Sequence, residues 1–285
     1  MAQTFNYDTA FSRNIGWVTE NEQQILKNSR VAIAGLGGVG GGHLLTLTRL
    51  GIGNFNIADF DEFEIHNFNR QAGAFLSTTG QKKADTLEQM ALDINPDLKI
   101  NKFEEGVTDE NLDEFLKDAD VYVDGLDFFA LHARKLVFNR CTQLKIPAIT
   151  AAPLGMGSAV LNFIPGKMTF EEYFQLNGHS EFDQLIRFLV GLSPAMLQRA
   201  YLVKKESVDF LKQKGPSTPM ACDICAGMAA TQALKIILDR GKIIHAPWGI
   251  QVDSYKNKTI RTWRPGGNKH PLQQLAIFVA KKLIG

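Results

Sequence analysis

A glycine-rich loop near the start of the chain has the residue types and spacing to hold a phosphate group. Gly35, Gly37 and Gly40 follow the apolar run VAIA and lead into a Leu-rich helical pattern. Glycine lets the backbone approach a phosphate closely, and the N–H groups that begin the following helix are free to bind it. An acidic residue, Asp59, ends a second short strand nineteen residues after Gly40. The pattern predicts a nucleotide site, with a structural tight turn as the alternative, and it fits either NAD or ATP.

The residues that follow Asp59 are more basic and more amide-rich than a hydride-transfer site needs. Asp61, Asn67, Asn69 and Arg70 are crowded into the segment DFDEFEIHNFNRQ, next to the position expected for a ribose. An arginine at this place can neutralise the charge of a phosphate group. The segment therefore indicates a nucleotide with more phosphate charge than a dinucleotide presents there.

Three more charged positions, in two places along the chain, also indicate a nucleotide with several phosphates. Lys83 falls four residues before Leu87, on the inward side of a predicted helix near its start, and a lysine there needs an anionic partner. The alternative is a snorkelling lysine on a solvated first turn. Asp124 and Asp127 end the fourth predicted strand, and Asp127 is predicted to hold Mg²⁺, with capping of the next helix as the alternative. With Arg70 and Lys83 as phosphate neutralisers, these residues favour ATP over NAD.

The elements that position these residues indicate an α/β fold. Short β-rich runs alternate with helical patterns, namely RVAIAG, NFNIAD, LKINKFEE, DVYVDGL and IPAITA. This alternation predicts a Rossmann-like, doubly wound, mainly parallel sheet. After Pro153, the runs SAVLNFIPG, GIQVDSY and KTIRTWR predict antiparallel additions, and a helical insertion is predicted at about residues 168–215. We predict a single domain over residues 1–285.

Composition excludes several classes of protein. The formal net charge is +1 over 285 residues, so no overall field attracts nucleic acid, and no nucleic-acid partner is expected. No apolar run approaches the roughly 18 residues of a membrane span, and the N-terminus lacks a signal-peptide pattern. Three cysteines do not make a disulfide scaffold. We therefore expect a cytoplasmic protein without a membrane span.

From FSRNIG to KTIRTWR, the chain resembles the ThiF/MoeB/HesA family of adenylyltransferases, which are relatives of the ubiquitin-activating enzymes. The resemblance rests on GLGGVG, DFDEFEIHNFNRQ, GQKKA and VDGLD, followed by Arg134, Asn139 and Cys141. Sequence and resemblance together predict a cofactor-binding set of Gly35, Gly37, Gly38, Gly40, Asp59, Asp61, Asn67, Asn69, Arg70 and Lys83.

The resemblance assigns roles within this set. It implies that Asp59 binds the ATP ribose and that Asn67, Arg70 and Lys83 contact the phosphates. It also implies that Asp127 holds Mg²⁺. In the family, a carboxylate attacks the α-phosphate of ATP, and an acyl adenylate and pyrophosphate form. A small ubiquitin-like protein or a peptide is then the expected acceptor.

The resemblance also implies a homodimer. In dimeric relatives, an arginine crosses the two-fold axis to the partner's ATP phosphates, and FSRN places Arg13 at a similar distance before the glycine loop. An isologous dimer permits such an exchange because each chain gives its arm to the other. We therefore predict that Arg13 is catalytic, like Arg70, Lys83 and Asp127. The alternative is a solvated charge near the N-terminus.

The chain departs from the family pattern at its cysteines and beside Asp127. Only one C-x-x-C pair is present, Cys222 to Cys225, so no structural zinc is expected. Phe128 stands where relatives have asparagine, and the predicted insertion has no cysteine. Cys222 lies about one turn into a predicted helix that starts at Pro219, where a helix N-terminus lowers a thiol pKa. Cys222 is thus a candidate nucleophile, with a buried structural role as the alternative.

The sequence leaves several functions open. The leading hypothesis is an ATP- and Mg²⁺-dependent adenylyltransferase that activates a protein or peptide C-terminus or a similar carboxylate. A second is activation of a small-molecule or tRNA-attached carboxylate. A third is a catalytically silent module that binds a nucleotide or a partner, which the missing asparagine and thiol favour. An NAD oxidoreductase comes last.

Overall fold

Eight β-strands form one mixed sheet in the computed structural model, which describes residues 4–210 and 212–284. The strands are β1 (Arg30–Ala34), β2 (Asn54–Ala58), β3 (Lys99–Phe103), β4 (Val121–Asp124), β5 (Ala148–Leu154), β6 (Gly157–Phe163), β7 (Trp248–Asp253) and β8 (Lys258–Trp263). Their order is β3-β2-β1-β4-β5-β6-β7-β8. Neighbours from β3 to β5 are parallel, and those from β5 to β8 are antiparallel. The predicted Rossmann-like sheet with antiparallel additions is confirmed.

Helices cover both faces of this sheet. They are α1 (Tyr7–Ala10), α2 (Glu20–Asn28), α3 (Gly40–Leu50), α4 (Lys83–Ile94), α5 (Leu112–Leu116), α6 (Leu131–Leu144), α7 (Phe170–Phe174), α8 (Glu181–Leu192), α9 (Pro219–Ile237) and α10 (Pro271–Ile284). Successive side chains of a strand point to opposite faces. Val31 and Ile33 of β1 accordingly pack in a core with α3, α4 and α9, whereas Ala32 and Ala34 pack in a second core with α5, α6 and α8.

The turn from β1 into α3 requires glycine. Gly35 has φ +81°, and a Cβ there would collide with the backbone of Gly125. A Cβ on Gly40 would collide with the Gly35 carbonyl. The two loops at the carboxyl ends of β1 and β4 therefore touch through glycine, which brings the residues after β4 next to the glycine loop.

The stretch between β6 and α9 contains α7, α8 and short 3₁₀ turns at Leu197–Tyr201 and Lys205–Ser207. The predicted insertion at about residues 168–215 falls in this stretch. Its aromatic side chains pack on the sheet: Phe170 and Phe174 contact Phe163 of β6, and Phe188 of α8 contacts Phe128. The insertion is thus attached to the loop that carries Asp127.

One helix of the described residues, α9, has the length and mean hydropathy of a membrane span. In the fold α9 packs against β5, β6 and α3. Cys225, Ala229 and Ala233 on its inner side are fully buried. Packing in the core therefore accounts for the apolar composition of this helix.

Candidate active site

Asp59, at the carboxyl end of β2, fastens the glycine loop. Its Oδ2 accepts a hydrogen bond of 2.5 Å from the backbone N–H of Leu36, and its Oδ1 accepts one of 2.8 Å from the N–H of Asp61. Burial raises the pKa of Asp59, and the two N–H donors oppose that rise. Asp59 therefore lies at the edge where nucleotide ribose binds in doubly wound folds, and it also shapes the loop that would hold the phosphates.

Lys83 is the first residue of α4, and its side chain is 7% exposed. Its Nζ donates to Asp61 Oδ2 at 2.8 Å, and its backbone N–H donates to the Asp61 carbonyl at 2.9 Å. The inward orientation predicted for Lys83 is confirmed, and the alternative of a solvated snorkelling lysine is wrong. A lysine in this position was expected to need an anionic partner, and Asp61 is that partner in the structure.

Arg70 faces the glycine loop. Its Nη1 donates to the His66 carbonyl at 3.1 Å and to Asn69 Oδ1 at 2.9 Å. Gly38 lies opposite, so that a Cβ on this glycine would stand 3.5 Å from Arg70 Nε. A pocket of about 210 Å³ opens between the start of α3 and the start of α9, and Gly38 and Arg70 line it. A cation facing a glycine loop is suited to phosphate oxygens.

Asn67 and Gln71 are buried neighbours of Arg70 in the same segment of the chain. Asn67 is 3% exposed, and its Oδ1 accepts from the Glu64 N–H at 2.9 Å, so its carbonyl group is used in the turn at Ile65–Asn67. Gln71 is buried, and no described residue pairs with its Oε1. A Cβ on Gly37 would lie 3.6 Å from Gln71 Nε2. The Gln71 amide thus lies beside the glycine loop, a position that no sequence pattern indicated.

Arg134 holds the loop that carries Asp127. Its Nε donates to Asp124 Oδ2 at 2.7 Å in an ion pair whose side chains are 3% and 2% exposed. Its Nη2 donates to the carbonyls of Leu126 at 2.7 Å and Asp127 at 3.1 Å. Its guanidinium also lies 4.6 Å from the ring centre of Phe188 in α8. Arg134 was named in the sequence only as part of the family resemblance, and no local pattern indicated that it clamps this loop.

Asp127 is exposed, and its Oδ1 accepts only from the Phe129 N–H at 2.9 Å. The alternative in which Asp127 caps α6 is wrong, because Ala130 is the N-cap and the carboxylate closes a local turn instead. Within the described residues, no group of three His, Cys, Asp or Glu side chains could hold a metal ion. A single free carboxylate nevertheless suits Mg²⁺, which takes one or two protein carboxylates together with substrate phosphates and waters.

A model of the ThiF family matches residues 11–275. The chain belongs to the ThiF family.

Two curated relatives and one solved structure show what this ThiF-family chain is similar to. It is 35% identical over 152 residues to tRNA threonylcarbamoyladenosine dehydratase of Bacillus subtilis (strain 168), covering 52% of this chain and 57% of that protein. It is 32% identical over 143 residues to the sulfur carrier protein ThiS adenylyltransferase of Escherichia coli (strain K12), covering 50% and 56%. The crystal structure of E. coli MccB with ATP superposes with a TM-score of 0.63 at 20% identity, covering 85% and 65%. The matches span about half the length of these curated relatives.

Cys222 of the ThiF-family chain does not have the lowered thiol pKa that its helix position suggested. It lies in the first turn of α9, as predicted, but it is 4% exposed. Burial raises the pKa of the Cys222 thiol, and the Ser217 hydroxyl and Arg70 oppose that rise only in part. A raised pKa does not favour the thiolate form of Cys222, and its nucleophilic role stays a prediction.

Arg13 lies far from its own chain's glycine loop. It is exposed, in a 3₁₀ turn whose next residue, Asn14, donates to the carbonyl of Leu50 at 3.1 Å. Leu50 ends α3, whereas the glycine loop precedes its start. An eleven-residue helix is about 16 Å long, which exceeds the reach of an arginine side chain. Arg13 is therefore not brought together with Arg70 and Lys83 of the same chain.

Proposed function

We propose that this chain is an ATP- and Mg²⁺-dependent adenylyltransferase that activates a carboxylate as an acyl adenylate. The observation that carries the proposal is the placement of Arg70, whose guanidinium faces Gly38 of the glycine loop across an open pocket. Asp59 and Lys83 extend the same edge towards β3, and Asp127 extends it towards β5. A site with two cations and one free carboxylate suits a triphosphate better than a nicotinamide.

The chemistry follows from the charges. An oxygen of the acceptor carboxylate attacks the α-phosphorus, the bond to the oxygen that bridges the α- and β-phosphorus breaks, and pyrophosphate leaves. Two anions must meet, so Arg70 and Lys83 bind the phosphates and cancel part of their charge. Asp127 would hold Mg²⁺, which supplies the remaining charge neutralisation when bound. Asp59 would orient the ribose and keep the loop in place.

Three findings support ATP as the nucleotide. The chain belongs to the ThiF family. The ThiS adenylyltransferase is named for adenylyl transfer, and the MccB structure contains ATP. By the same similarity, we infer that the acceptor is a peptide or a small ubiquitin-like protein and that the enzyme works in the cytoplasm. The similarity to a tRNA threonylcarbamoyladenosine dehydratase supports a second candidate, a tRNA-attached carboxylate.

We also infer a homodimer in which Arg13 serves the partner's site. Its distance from its own glycine loop supports this arrangement, since an arginine that cannot reach its own site can reach that of a second copy. Large hydrophobic side chains of the segment between β2 and α4 are exposed, as a subunit interface would require: Phe60, Ile65, Phe68, Phe75 and Leu76.

Exchange of labelled pyrophosphate into ATP tests the proposal. We expect exchange that requires Mg²⁺ and a carboxylate acceptor, tried as peptides ending in Gly-Gly, small ubiquitin-like proteins and modified tRNA. Asp127→Asn is the matched control expected to lack exchange, because it removes one charge with almost no change in shape. Tight ATP binding without exchange for any acceptor would favour a catalytically silent module. The packing of Phe128 against Phe188 and Phe210, where relatives have a polar side chain, supports that alternative.

A further inference from the structure

Asn69 joins two parts of the site that lie 148 residues apart in sequence. Its Oδ1 accepts from Arg70 Nη1 at 2.9 Å, and its Nδ2 donates to the carbonyl of Ser217 at 3.0 Å. Ser217 directly precedes Thr218, the N-cap of α9. The side-chain amide of Asn69 therefore connects Arg70 with the segment that enters α9.

The contact with Asn69 determines which edge of Arg70 is free. Nη1 carries two hydrogens, and the His66 carbonyl and Asn69 Oδ1 take both. Within the described residues, Nε and Nη2 donate to no protein group, and Nε is the atom nearest to a Cβ placed on Gly38. The Nε–Nη2 edge is the side of a guanidinium that binds two oxygens of one phosphate. Asn69 thus holds Arg70 with this edge towards the glycine loop.

The segment that enters α9 is fastened on its other side as well. Thr218 Oγ1 donates to the Gly155 carbonyl, in the turn between β5 and β6, at 2.7 Å. The Ser217 hydroxyl lies 3.8 Å from the thiol of Cys222, which lines the same pocket as Arg70. The Ser217–Thr218 link therefore lies against Cys222, and two side-chain hydrogen bonds hold the link in place: one from Asn69 and one from Thr218.

We propose that Asn69 is a positioning residue that presents Arg70 to phosphate and takes its own position from the Ser217 carbonyl. The inference rests on the proposed function, because it gives Arg70 the phosphates of a bound nucleotide. It departs from the sequence prediction, in which Asn69 contacts the cofactor itself. Both hydrogen-bonding ends of the amide are engaged with protein, so its effect on a nucleotide passes through Arg70.

A double-mutant cycle on nucleotide binding separates positioning from direct contact. The dissociation constant of a non-hydrolysable ATP analogue is measured for the unaltered chain, Asn69→Ala, Arg70→Ala and the double variant. We expect Asn69→Ala to weaken binding about tenfold, the scale of one hydrogen bond to a charged group. In the Arg70→Ala background the same change should have no further effect. An undiminished loss in that background would overturn positioning in favour of direct contact.

The hydrogen bond from Asn69 to the Ser217 carbonyl is tested by the rate at which iodoacetamide alkylates Cys222, measured by mass spectrometry. We expect Asn69→Ala to label faster at Cys222, while Cys141 and Cys225, which are fully buried, report any global unfolding. Thr218→Val is the matched control because it releases the same link without touching Arg70. It should speed labelling of Cys222 and weaken nucleotide binding less than Asn69→Ala does, because the hydrogen bond from Arg70 to Asn69 is kept.

The outcomes separate this inference from the function on which it rests. Failure of the unaltered chain to bind the analogue contradicts the proposed function and the inference together. Binding by the unaltered chain with equal affinity in Asn69→Ala contradicts the inference alone. Unchanged labelling of Cys222 in Asn69→Ala would show that the hydrogen bond from Asn69 does not hold Ser217 against the thiol.

Discussion

Lys83 Nζ lies 2.8 Å from Asp61 Oδ2 in an ion pair with one buried and one exposed member. The lysine side chain is 7% exposed, whereas that of the aspartate is 52% exposed. The pair is therefore open on the aspartate side, where a phosphate can compete for the ammonium group. Replacing the lysine leaves no buried charge behind, because water already reaches Asp61.

Lys83→Met should weaken ATP binding about tenfold or more and leave the fold intact, because it removes a phosphate contact and keeps most of the apolar stem. Isothermal titration with a non-hydrolysable analogue measures the effect. The neighbouring Lys82→Met is the matched control, since Lys82 is half-exposed and pairs with Glu104 instead. Equal losses in the two variants would show that overall charge, rather than the position of Lys83, sets the affinity.

The glycine loop separates residues needed for folding from residues needed for binding. Gly35→Ala should destabilise the protein by about 3 kcal/mol or more, because it forces φ +81° on a side chain that collides with Gly125. Gly38→Ala has no such clash, and its methyl group points towards Arg70. We expect the free energy of unfolding of Gly38→Ala to lie within about 1 kcal/mol of that of the unaltered chain, and its nucleotide affinity to fall. Urea denaturation and analogue binding, measured side by side, check both results.

Buried His43 should make stability depend on pH. It is fully buried in α3, no described residue pairs with either ring nitrogen, and burial lowers its pKa to about 4, with Asp124 opposing. The unfolded chain binds a proton near pH 6.5 and the folded chain does not, so stability is full above pH 6.5 and falls as the pH drops to about 4. The fall amounts to about 3 kcal/mol.

Urea denaturation at pH 7.5 and pH 4.5 measures that fall. His43→Leu should unfold with a smaller difference between the two pH values, because the titrating group is gone. His132→Gln is the control, since His132 is exposed. A pH difference unchanged in His43→Leu would assign the acid sensitivity to other groups.

The sequence predicted the elements of the site better than their connections. The glycine loop, Asp59 and Lys83 follow from local spacing, because strand, turn and helix positions are set by neighbouring residues. The bond from Asn69 to Ser217 joins residues 148 positions apart, and no local pattern reports it. The alternative for Asp127 failed for a similar reason, because the start of α6 at Leu131 depends on how the loop is clamped.

Cys222 shows where two local rules compete. Its place in the first turn of α9 was predicted, and a helix N-terminus by itself lowers a thiol pKa. In the fold Cys222 is 4% exposed, and the Ser217 hydroxyl lies 3.8 Å from its thiol. The net result in the fold is a raised pKa of the Cys222 thiol, with burial as the main cause. Sequence can place a residue on a helix, but the sign of its pKa shift comes from packing.

Subunit mixing tests the role of Arg13. Arg13→Ala and Lys83→Met should each be nearly inactive in pyrophosphate exchange. When the two are mixed and exchange subunits, half of the dimers are mixed and each holds one complete site, so activity should recover to roughly a quarter. Recovery requires that Arg13 acts in the partner's site. No recovery, with subunit exchange confirmed by mass spectrometry, would place Arg13 in its own chain's site or outside catalysis.

The fate of the acceptor's carboxylate oxygen tests the central claim most directly. An acceptor that supports exchange is labelled with ¹⁸O in its carboxylate, incubated with ATP and Mg²⁺, and the adenylate is cleaved with hydroxylamine. Attack of the carboxylate on the α-phosphorus predicts AMP that carries one ¹⁸O atom, together with unlabelled pyrophosphate, and Asp127→Asn should form neither. Formation of ADP with ¹⁸O in inorganic phosphate, or AMP without the label, would contradict adenylation of a carboxylate by this protein.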